Sequence, residues 1–433
     1  MSQSSEIFEG LLANLKVDNA AVIGARRDEI TKVLNQDFRG LDGSAANRLM
    51  VGSYGRWTAI RGISDLDLLY ILPPSLRGTY VQPGGPSKVL ARTRKAIQAR
   101  YPNTSVTVDR LVVVVQFTNF MFEVQPVFEN TDRSFSYPDT ASDSWKITKP
   151  RAEIEETSAE DAASNGNLRR LCKLARAWKN KHGTVIGGLL IDTLAYNFMK
   201  SHTAYRSAKS DVYGEMARDF FLYLAEEEDH EFYSALGSRQ RVHVKKRFQR
   251  KAKRAYNLAI EAIDADGNGN AYKKWRSIFG KAVPVIAGIA KESLAASAGP
   301  SFRDTEQFIE DLYPVDIRFG LSIDCTVIQD GFRAQRLSSI LASHGLLRPH
   351  KDLRFKIVET NVPGAYEVRW KVLNRGPEAE RRDNIRGQIL RPSVGSERRE
   401  KTQFRGEHIV ECYLIKNNVV VARDSIVVPI SPS

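Results

Sequence analysis

Two aspartates, Asp65 and Asp67, stand one residue apart at the start of the apolar run LLYIL at 68–72. Side chains at positions i and i+2 of a β-strand point to the same face, so a strand over about 66–72 places both carboxylates on one side. Two ionised carboxylates held this close repel each other unless a cation lies between them. Oxygen ligands of this kind suit Mg²⁺ or Mn²⁺. The pair therefore predicts a site for a hard divalent cation.

A third carboxylate is available at Glu123, inside a strand predicted over 120–128. In two-metal catalysis one ion activates the attacking hydroxyl and the other holds the triphosphate, and a third carboxylate commonly completes the site. Glu123 lies between Phe122 and Val124, where a carboxylate is costly to desolvate without a partner. We predict Asp65, Asp67 and Glu123 as metal ligands and catalytic residues.

The dipeptide Gly52-Ser53 precedes the aspartates by a short spacer. A small turn of this kind offers backbone N–H groups and a hydroxyl to triphosphate oxygens, and its glycine lets the phosphate approach closely. Arg56 can add a charge-assisted contact to the same phosphates. Each motif is weak alone, since an acidic pair is often a solvated or capping pair. Together they favour nucleotide chemistry.

Several predicted elements must position these residues. Spaced apolar residues predict two helices from 5 to 38, and further patterns predict a helix at 87–101 and β-segments at 106–117 and 120–128, joined by a turn at Thr118-Asn119. From about 152 to 291 the pattern is helical. The basic stretch KKRFQRKAKR at 245–254 is predicted at a helix start, either as a solvated face or as a site for a phosphate backbone or an acidic partner.

Ser, Gly and Pro accumulate around 295–314 and mark a domain boundary. The remainder predicts strands at 353–359, 366–374, 385–392, 408–417 and 418–430, in a sandwich or barrel. The predicted fold is therefore α/β (α+β). It consists of a core with a helical domain at 1–300 and a small β-rich domain at 301–433.

Composition narrows the class of protein. The 433 residues carry a net charge of +13, which favours a polyanionic partner such as nucleotides or nucleic acid. Three widely spaced cysteines predict neither a disulfide framework nor a zinc site. The apolar runs are too short to span a bilayer and the first residues lack a secretory pattern, so we expect a cytoplasmic protein that does not bind membranes.

The segment GSYGRWTAIRGISDLDLLYILP closely resembles the GS...DxD signature of DNA polymerase β-like nucleotidyltransferases. It is most similar to the bacterial cGAS/DncV-like group (CD-NTases, the SMODS family), which makes cyclic di- or oligonucleotide second messengers. FEVQPVFEN, YPDTASDSWKITKP, NLRRLCKLARAWKNK, GGLLIDTLAYNF and AYKKWRSIFG continue the resemblance in order, over roughly residues 5–300. The family usually has aspartate as its third metal ligand, whereas this chain has Glu123.

The resemblance implies roles for individual residues. Asp65, Asp67 and Glu123 would bind Mg²⁺ or Mn²⁺, and Glu123 would also help to deprotonate the attacking ribose hydroxyl. Ser53 would contact the donor triphosphate of a nucleoside triphosphate.

Three further side chains are implied at the nucleotide. Lys173 or Arg176, nearly one turn apart on one helix face, would reach the triphosphate, although either can be a solvated helix charge. Tyr137 would stack on a base or, alternatively, serve as a packing residue.

From about Leu346 onward, RWKVLNRGPEA, DNIRGQI, EKTQFRGEHIVECYLIKN and VVVARDSIVVPI resemble the AGS-C sensor domain. The resemblance implies a β-rich module that senses a ligand and regulates the attached synthase. A set of its polar side chains could line a binding site, with no chemistry assigned to them. They are Asn374, Arg386, Glu400, Thr402, His408 and Glu411.

The leading hypothesis is a metal-dependent synthase that joins nucleoside triphosphates into a cyclic oligonucleotide. By resemblance, the product would act on a separate cyclic-nucleotide effector in antiphage (CBASS) signalling. A nucleic acid or a regulatory ligand could activate the enzyme. Two alternatives stay open: a transferase that makes linear or RNA products, and a ligand-sensing or nucleic-acid-binding protein with an inactive core.

Overall fold

The computed structural model describes residues 3–267, 270–285, 306–329, 333–375 and 377–431. The chain divides into two compact units. The first contains Met1–Ala177 and Ile186–Gly267, and the second contains Trp178–Val185 and Asn268–Ser433. The boundary expected between residues 300 and 301 lies outside the described residues and stays a prediction.

The first unit contains a seven-stranded sheet preceded by two helices, α1 (Gln3–Asn14) and α2 (Ala20–Arg39). The strands are β1 (Arg48–Met50), β2 (Asp65–Ile71), β3 (Ser105–Asp109), β4 (Val112–Gln116), β5 (Met121–Glu129), β6 (Phe135–Asp139) and β7 (Ser144–Thr148). Their order is β1-β2-β5-β4-β3, and β6 pairs with β5 and β7. Strands β2 and β5 are parallel, whereas the other paired strands are antiparallel.

The predicted β-segment at 106–117 is two strands, because the chain reverses at Arg110-Leu111 between β3 and β4. The turn predicted at Thr118-Asn119 is confirmed between β4 and β5. Period-2 alternation cannot locate such a reversal when both strands are rich in valine, and this explains the missed break.

The two faces of strand β2 have different environments. Leu66, Leu68 and Tyr70 are buried in a core that includes side chains of α2 and of α5 (Gly85–Arg100). Two one-turn helices, α3 (Gly52–Gly55) and α4 (Arg77–Tyr80), connect the surrounding elements. The opposite face of β2 carries Asp65 and Asp67, which remain partly exposed. The strand is therefore anchored by one face and presents its carboxylates on the other.

The rest of the first unit is mainly helical, as predicted. Its helices are α6 (Pro150–Ala163), α7 (Asn167–His182), α8 (Gly188–Ser201), α9 (Tyr213–Glu226) and α10 (Gln249–Asp264), and a short hairpin is formed by β8 (Phe232–Ser234) and β9 (Arg241–His243). The last residues of α7 belong to the second unit.

The basic stretch at 245–254 is only partly helical, because α10 begins at Gln249. Lys245, Lys246 and Arg247 precede the helix and are exposed. The buried face of α10 consists of four alanines: Ala252, Ala255, Ala259 and Ala262. The basic stretch therefore contains the start of the helix, as predicted, with its first residues outside the helix.

After the end of α7, the second unit continues with α11 (Ala271–Phe279) and then forms two four-stranded antiparallel sheets. Its other elements are β10 (Leu321–Ile328), β11 (Gln335–Arg336), α12 (Leu337–Ala342), β12 (Asp352–Thr360), β13 (Glu367–Leu373), α13 (Pro377–Arg381), β14 (Arg386–Leu390), β15 (Arg398–Lys401), β16 (Gly406–Lys416) and β17 (Val419–Ile430). The sheet orders are β11-β10-β12-β15 and β14-β13-β16-β17.

One hydrophobic core joins the two sheets. Phe355 of the first sheet and Trp370, Cys412 and Val421 of the second are fully buried in it. Of the predicted sandwich or barrel, the two sheets form the sandwich, and five of its strands lie where the sequence placed them. Strands β10, β11 and β15 were not predicted.

A cluster of charges lies beneath the second sheet, around Glu411 of β16. Its carboxylate is 2.7 Å from Nη2 of Arg423, 3.5 Å from Nζ of Lys181 and 3.7 Å from Nζ of Lys371. Burial alone would raise the pKa of Glu411, but these three cations and the Tyr413 hydroxyl hold it well below its usual range. We call this group the β16 cluster.

Candidate active site

The parallel pairing of β2 with β5 brings the predicted carboxylates onto neighbouring positions. Asp67 lies directly opposite Glu123, and Asp65 lies opposite Met121. All three carboxylate-bearing residues are partly exposed. Since residues two apart share a face of a strand, Asp65 and Asp67 project to the same side of β2.

Strand β1 delivers the Gly52-Ser53 turn to the same place. It pairs with β2 in antiparallel register, and the Val51 N–H donates to the Asp67 carbonyl at 3.0 Å. Gly52 then adopts φ 62°, a left-handed conformation that favours glycine. A Cβ added at Gly52 would lie 1.9 Å from Oδ2 of Asp67. Only glycine therefore lets the turn lie against this carboxylate.

The Ser53 backbone closes the loop that follows. Its carbonyl accepts hydrogen bonds from the N–H groups of Thr58 and Ala59 at 3.0 and 3.1 Å. The Ser53 hydroxyl forms no hydrogen bond with any residue in the described ranges. The turn is therefore fixed through its backbone, and its hydroxyl remains available to a ligand.

A buried group of charges lies behind this loop, and we call it the α8 cluster: Arg56, Glu153, Arg176 and Asp192. Oδ2 of Asp192 is 2.8 Å from Nε of Arg56 and 3.0 Å from Nη2 of Arg176, while Oδ1 is 2.6 Å from Nη1 of Arg176. Glu153 accepts from Arg56 at 3.2 Å. Asp192 is fully buried and both arginines are at most 6% exposed, so the cluster is shielded from solvent.

Further hydrogen bonds connect the α8 cluster to the Gly52-Ser53 loop. The Thr58 hydroxyl donates to Asp192 at 3.0 Å, and Nε of Arg169 donates to the Arg56 carbonyl at 3.0 Å. These hydrogen bonds therefore hold the loop both through its Thr58 side chain and through its Arg56 backbone carbonyl.

The two carboxyl groups of the α8 cluster have shifted pKa values. Burial alone would raise the pKa of Asp192, but the guanidinium groups of Arg176 and Arg56 outweigh it and hold the pKa at about 2. For Glu153 burial prevails over Arg56 and the Ser238 hydroxyl and raises the pKa. The charges of Asp192 and Asp67 add to this rise. The carboxylate at Asp67 and the α8 cluster thus interact electrostatically.

Comparison with known proteins identifies the family. The model of the Second Messenger Oligonucleotide or Dinucleotide Synthetase domain (SMODS) matches residues 1–160, and that of the Adenylyl/Guanylyl and SMODS C-terminal sensor domain (AGS-C) matches residues 303–431. The chain is a SMODS nucleotidyltransferase with a C-terminal AGS-C domain.

Individual relatives are distant. A cyclic AMP-AMP-AMP synthase from Acinetobacter sp. is 22% identical over 281 residues, which are 58% of this chain and 77% of the relative. The solved structure of Vibrio cholerae DncV cyclic AMP-GMP synthase is 15% identical and has a TM-score of 0.44, with 66% of this chain and 89% of DncV covered. The CdnC:HORMA-deltaN complex of E. coli MS115-1 gives 16% identity and a TM-score of 0.46, with 66% of this chain and 98% of that chain covered.

The phosphate contacts expected for Arg56 and Arg176 do not fit their placement in this SMODS chain. Both guanidinium groups are buried, and Arg56 pairs with Asp192 and Glu153 while Arg176 pairs with Asp192. Leaving those carboxylates for a phosphate would strand two buried negative charges. The structure therefore gives the two arginines a positioning role behind the Gly52-Ser53 loop.

Lys173 differs from its neighbour Arg176. It is only partly buried and forms no ion pair with the residues that the structure describes. Burial and the nearby Arg169 lower its pKa. Since Arg169 also binds the Arg56 carbonyl, Lys173 lies one turn of α7 from a residue that contacts the loop. Of the two cations expected at the triphosphate, Lys173 remains the candidate.

Tyr137 lies on β6 and packs, partly buried, against an apolar group on the carboxylate side of the sheet. This group comprises Val51, Leu69, Val127 and Phe135. Leu69 and Val127 continue the faces that carry Asp67 and Glu123. Part of the Tyr137 ring therefore packs against neighbouring side chains. Stacking of its exposed part on a base stays a prediction.

The strand positions and the oxygen atoms of the three carboxylates fit a site for a divalent cation. Asp65, Asp67 and Glu123 are oxygen donors on adjacent strands, which is the donor set that Mg²⁺ and Mn²⁺ prefer. Among the described residues, however, no group of three or more His, Cys, Asp or Glu side chains is close enough to hold a metal ion. The fit therefore rests on the register of β2 and β5 and on the type of ligand atom.

The sequence did not single out Asp192 and Glu153. Asp192 lies in the apolar helix sequence GLLIDTLAYNF, and a lone carboxylate in such a setting needs a buried cationic partner. Trp57 was also missed. It adopts φ 63° and is 68% exposed directly after the Gly52-Ser53 turn. A large residue in a left-handed conformation is a strained feature at the edge of the site.

In the described ranges no helix is long and apolar enough to cross a bilayer.

Proposed function

We propose that this nucleotidyltransferase joins nucleoside triphosphates into a cyclic di- or oligonucleotide. A ribose hydroxyl would attack the α-phosphate of a donor nucleotide, and pyrophosphate would leave. The observation that carries the proposal is the register of β2 and β5, with Asp67 opposite Glu123 and Gly52 in contact distance of Asp67. The match to a synthetase family for oligonucleotide or dinucleotide messengers supports the product class.

Asp65, Asp67 and Glu123 would hold Mg²⁺ or Mn²⁺, which supplies charge neutralisation of the triphosphate and lowers the pKa of the attacking hydroxyl when it is bound. Glu123 is also a candidate to accept the proton of that hydroxyl. Its carboxylate extends one methylene further than aspartate would from the same position on β5. In-line phosphoryl transfer needs little covalent help from the protein, so positioning and charge stabilisation are its main tasks.

Ser53 and Lys173 would bind the triphosphate. The free Ser53 hydroxyl and the N–H groups of its turn can donate to phosphate oxygens, and Lys173 can add a positive charge. The α8 cluster would keep the turn at a fixed distance from Asp67. Tyr137 would stack on a base with its exposed part, at a gain of about 1–3 kcal/mol per stacked base.

We further propose that the product carries a signal to a separate effector protein in antiphage (CBASS) defence. The cytoplasm supplies the triphosphate substrates, and the three buried, unpaired cysteines suit a reducing compartment. A regulatory ligand of the AGS-C domain or a nucleic acid would act as the activator. Exposed cations at 245–247 offer a surface for the second of these.

The test is a product assay. Purified protein is incubated with four labelled ribonucleoside triphosphates and Mg²⁺ or Mn²⁺, treated with phosphatase, and analysed by mass spectrometry. A phosphatase-resistant product without a terminal phosphate is expected. Consumption of triphosphates with only phosphatase-sensitive products would instead indicate a linear transferase.

Matched variants connect the product to the proposed site. The double variant Asp65→Asn, Asp67→Asn should lose product by at least about 1,000-fold with unchanged thermal unfolding, because both metal ligands are removed. Asp109→Asn is the control, since Asp109 is an exposed aspartate on β3 of the same sheet. Equal activity in the double variant and the control would refute the catalytic assignment.

Glu123→Asp separates two causes of an inactive preparation. If the longer acid limits the metal geometry, the variant should raise product formation without any added activator. If an activator is missing, Glu123→Asp should stay as inactive as the parent chain, and activity should return only with an added ligand or nucleic acid.

A further inference from the structure

A small cavity lies between the two sheets of the AGS-C domain. Its volume is about 80 Å³, roughly half of the ~150 Å³ apolar cavity that accommodates benzene in an engineered protein. Phe355, Val372, Val410 and Val428 form its apolar wall. Exposed Lys401 and Gln403 mark the side that meets solvent. The cavity can therefore take a small ring or the edge of a larger one.

Five of the six polar residues expected to line a site do line this cavity: Asn374, Arg386, Glu400, Thr402 and His408. The exception is Glu411, which belongs to the β16 cluster. Side chains at alternate positions of β16 point to opposite faces, so His408 and Glu411 cannot both face the cavity.

Three of these five side chains are already satisfied within the domain. Arg386 makes a two-pronged ion pair with Glu400, at 2.7 and 3.0 Å. The Thr402 hydroxyl accepts from the Lys351 N–H at 2.8 Å and donates to the Arg348 carbonyl at 3.2 Å. These residues build a polar rim without requiring a ligand.

His408 is different, because one of its ring nitrogens is buried and has no hydrogen-bond partner. The residue is 6% exposed, and its Nε2 lies 3.2 Å from the Phe404 carbonyl. A carbonyl only accepts, so this contact assigns the proton to Nε2 and leaves Nδ1 as an acceptor. Nδ1 finds no donor in the described part of the chain. A buried acceptor that is left unsatisfied destabilises the folded protein, so a ligand that donates to it gains affinity.

The His408 ring is neutral at physiological pH. Burial lowers its pKa, and this outweighs the opposite effect of the bond to Phe404. Nδ1 therefore keeps its lone pair and cannot itself donate to a carboxylate or phosphate.

Asn374 adds a second acceptor to the same cavity. It is 8% exposed, and its Nδ2 donates to the Asn384 carbonyl at 2.8 Å. Its Oδ1 makes no hydrogen bond with the residues described, so it is available to a ligand. Both available groups accept hydrogen bonds, and the complementary ligand must donate them.

We propose that this cavity binds the N–H edge of a small neutral heterocycle, such as an azole or a nucleobase, which donates to His408 and Asn374. The apolar wall and the facing sheets suit a flat ring. Arg386 and Arg398 share one carboxylate, that of Glu400, so this group has a net positive charge. That charge disfavours a cationic ligand. The proposal concerns the AGS-C domain alone and does not depend on the proposed transferase activity.

A matched pair of probes tests the proposal on the full-length protein. Pyrazole and isoxazole are five-membered rings of nearly equal size, but only pyrazole carries an N–H. Both are titrated into the millimolar range and followed by ¹⁵N NMR of the histidine side chains. Pyrazole should shift the His408 Nδ1 resonance and bind about tenfold or more tightly than isoxazole, because only pyrazole satisfies the buried acceptor.

Two variants keep the test interpretable. His408→Phe retains an aromatic ring and should abolish the preference for pyrazole. If that variant does not fold, Val428→Met narrows the cavity while leaving His408 in place and should weaken pyrazole binding. Absence of pyrazole binding, equal binding of both probes, or a preference that survives His408→Phe would each overturn the proposal. The first of these results would mean that ordered water satisfies the two acceptors.

Discussion

Each unit of this chain buries a cluster of opposite charges, and the two clusters differ in the chemistry of their cations. In the α8 cluster, two arginines fork onto Asp192 at 2.6–3.0 Å. In the β16 cluster, Glu411 faces two lysines at 3.5 and 3.7 Å and one arginine at 2.7 Å. A guanidinium fork fixes direction as well as charge, whereas an ammonium group acts largely as a point charge.

The two clusters also differ in the elements that carry their cations, and this determines what each cluster can hold in place. Arg56 of the α8 cluster is part of the loop that begins at Gly52-Ser53, so the fork also sets where that loop lies. Lys371 and Arg423 of the β16 cluster lie on strands that are already aligned by backbone hydrogen bonds. We infer that the first cluster positions a proposed substrate-binding loop, while the second mainly stabilises a sheet.

Asp192→Asn should have the largest effect. It removes the carboxylate that Arg176 shares with Arg56 and leaves Glu153 as the partner of Arg56, which costs about 3–5 kcal/mol in the free energy of unfolding. Product formation should also fall about 100-fold, because a loop misplaced by about 1 Å costs a rate factor of this size. Urea denaturation and the product assay, both at low temperature, measure the two effects. Wild-type activity in a folded Asp192→Asn protein would contradict the positioning role.

Glu411→Gln tests the opposite expectation for the β16 cluster. Three cations then lose their shared carboxylate, but Lys371 keeps Glu306 at 2.6 Å and Arg423 keeps Glu310 at 3.3 Å, so unfolding should become easier by about 1–3 kcal/mol. At a temperature where the variant is folded, its rate of product formation should stay within about threefold of the parent, since no loop of the proposed site is attached to it. A rate loss equal to that of Asp192→Asn would erase the distinction between the clusters.

Acid should weaken the α8 cluster through Asp192. Its folded pKa of about 2 is below the unfolded value of about 4, so the stabilisation is complete above pH 4 and is lost as pH falls towards 2. The difference corresponds to about 2–3 kcal/mol. Unfolding free energies measured from pH 6 to pH 3 should therefore decrease more steeply for the parent chain than for Asp192→Asn. Identical slopes would show that folding does not lower the pKa of Asp192.

Two buried threonines provide the smallest and most closely matched comparison. The Thr58 hydroxyl donates to Asp192, and the Thr402 hydroxyl bridges the Lys351 N–H and the Arg348 carbonyl. Either threonine-to-valine variant should cost about 1–2 kcal/mol of unfolding free energy. Only Thr58→Val should also slow product formation, by several-fold. Denaturation and product formation are measured in parallel for both variants. Equal rates of product formation in the two variants would show that the hydrogen bond from Thr58 to Asp192 does not help to position the loop.

Local sequence patterns predicted much of this molecule. The period of two placed Asp65 and Asp67 on one strand face, and Gly52 was recognised as a glycine that allows close approach. Helical spacing located α1, α2 and α5, and alternation located five strands of the C-terminal sandwich. These features depend on neighbours a few residues apart, and the chain encodes such neighbours directly.

These local patterns could not predict contacts between segments that are distant in the sequence. Asp192 is 136 residues from Arg56, so no local pattern revealed that a buried carboxylate would occupy that guanidinium and withdraw it from phosphate. The same holds for Arg176, which the sequence alone could not distinguish from Lys173 on a basic helix.

The order of residues was enough to identify the types of side chain at the proposed site and the strand faces that carry them. Three features emerged only from the folded chain: the register that sets Asp67 opposite Glu123, the side chains that hold the Gly52-Ser53 loop, and the ring nitrogen of His408 that has no donor. The physical reason is that strand pairing and charge burial depend on which distant groups become neighbours, and burial makes an unpaired charge or acceptor costly.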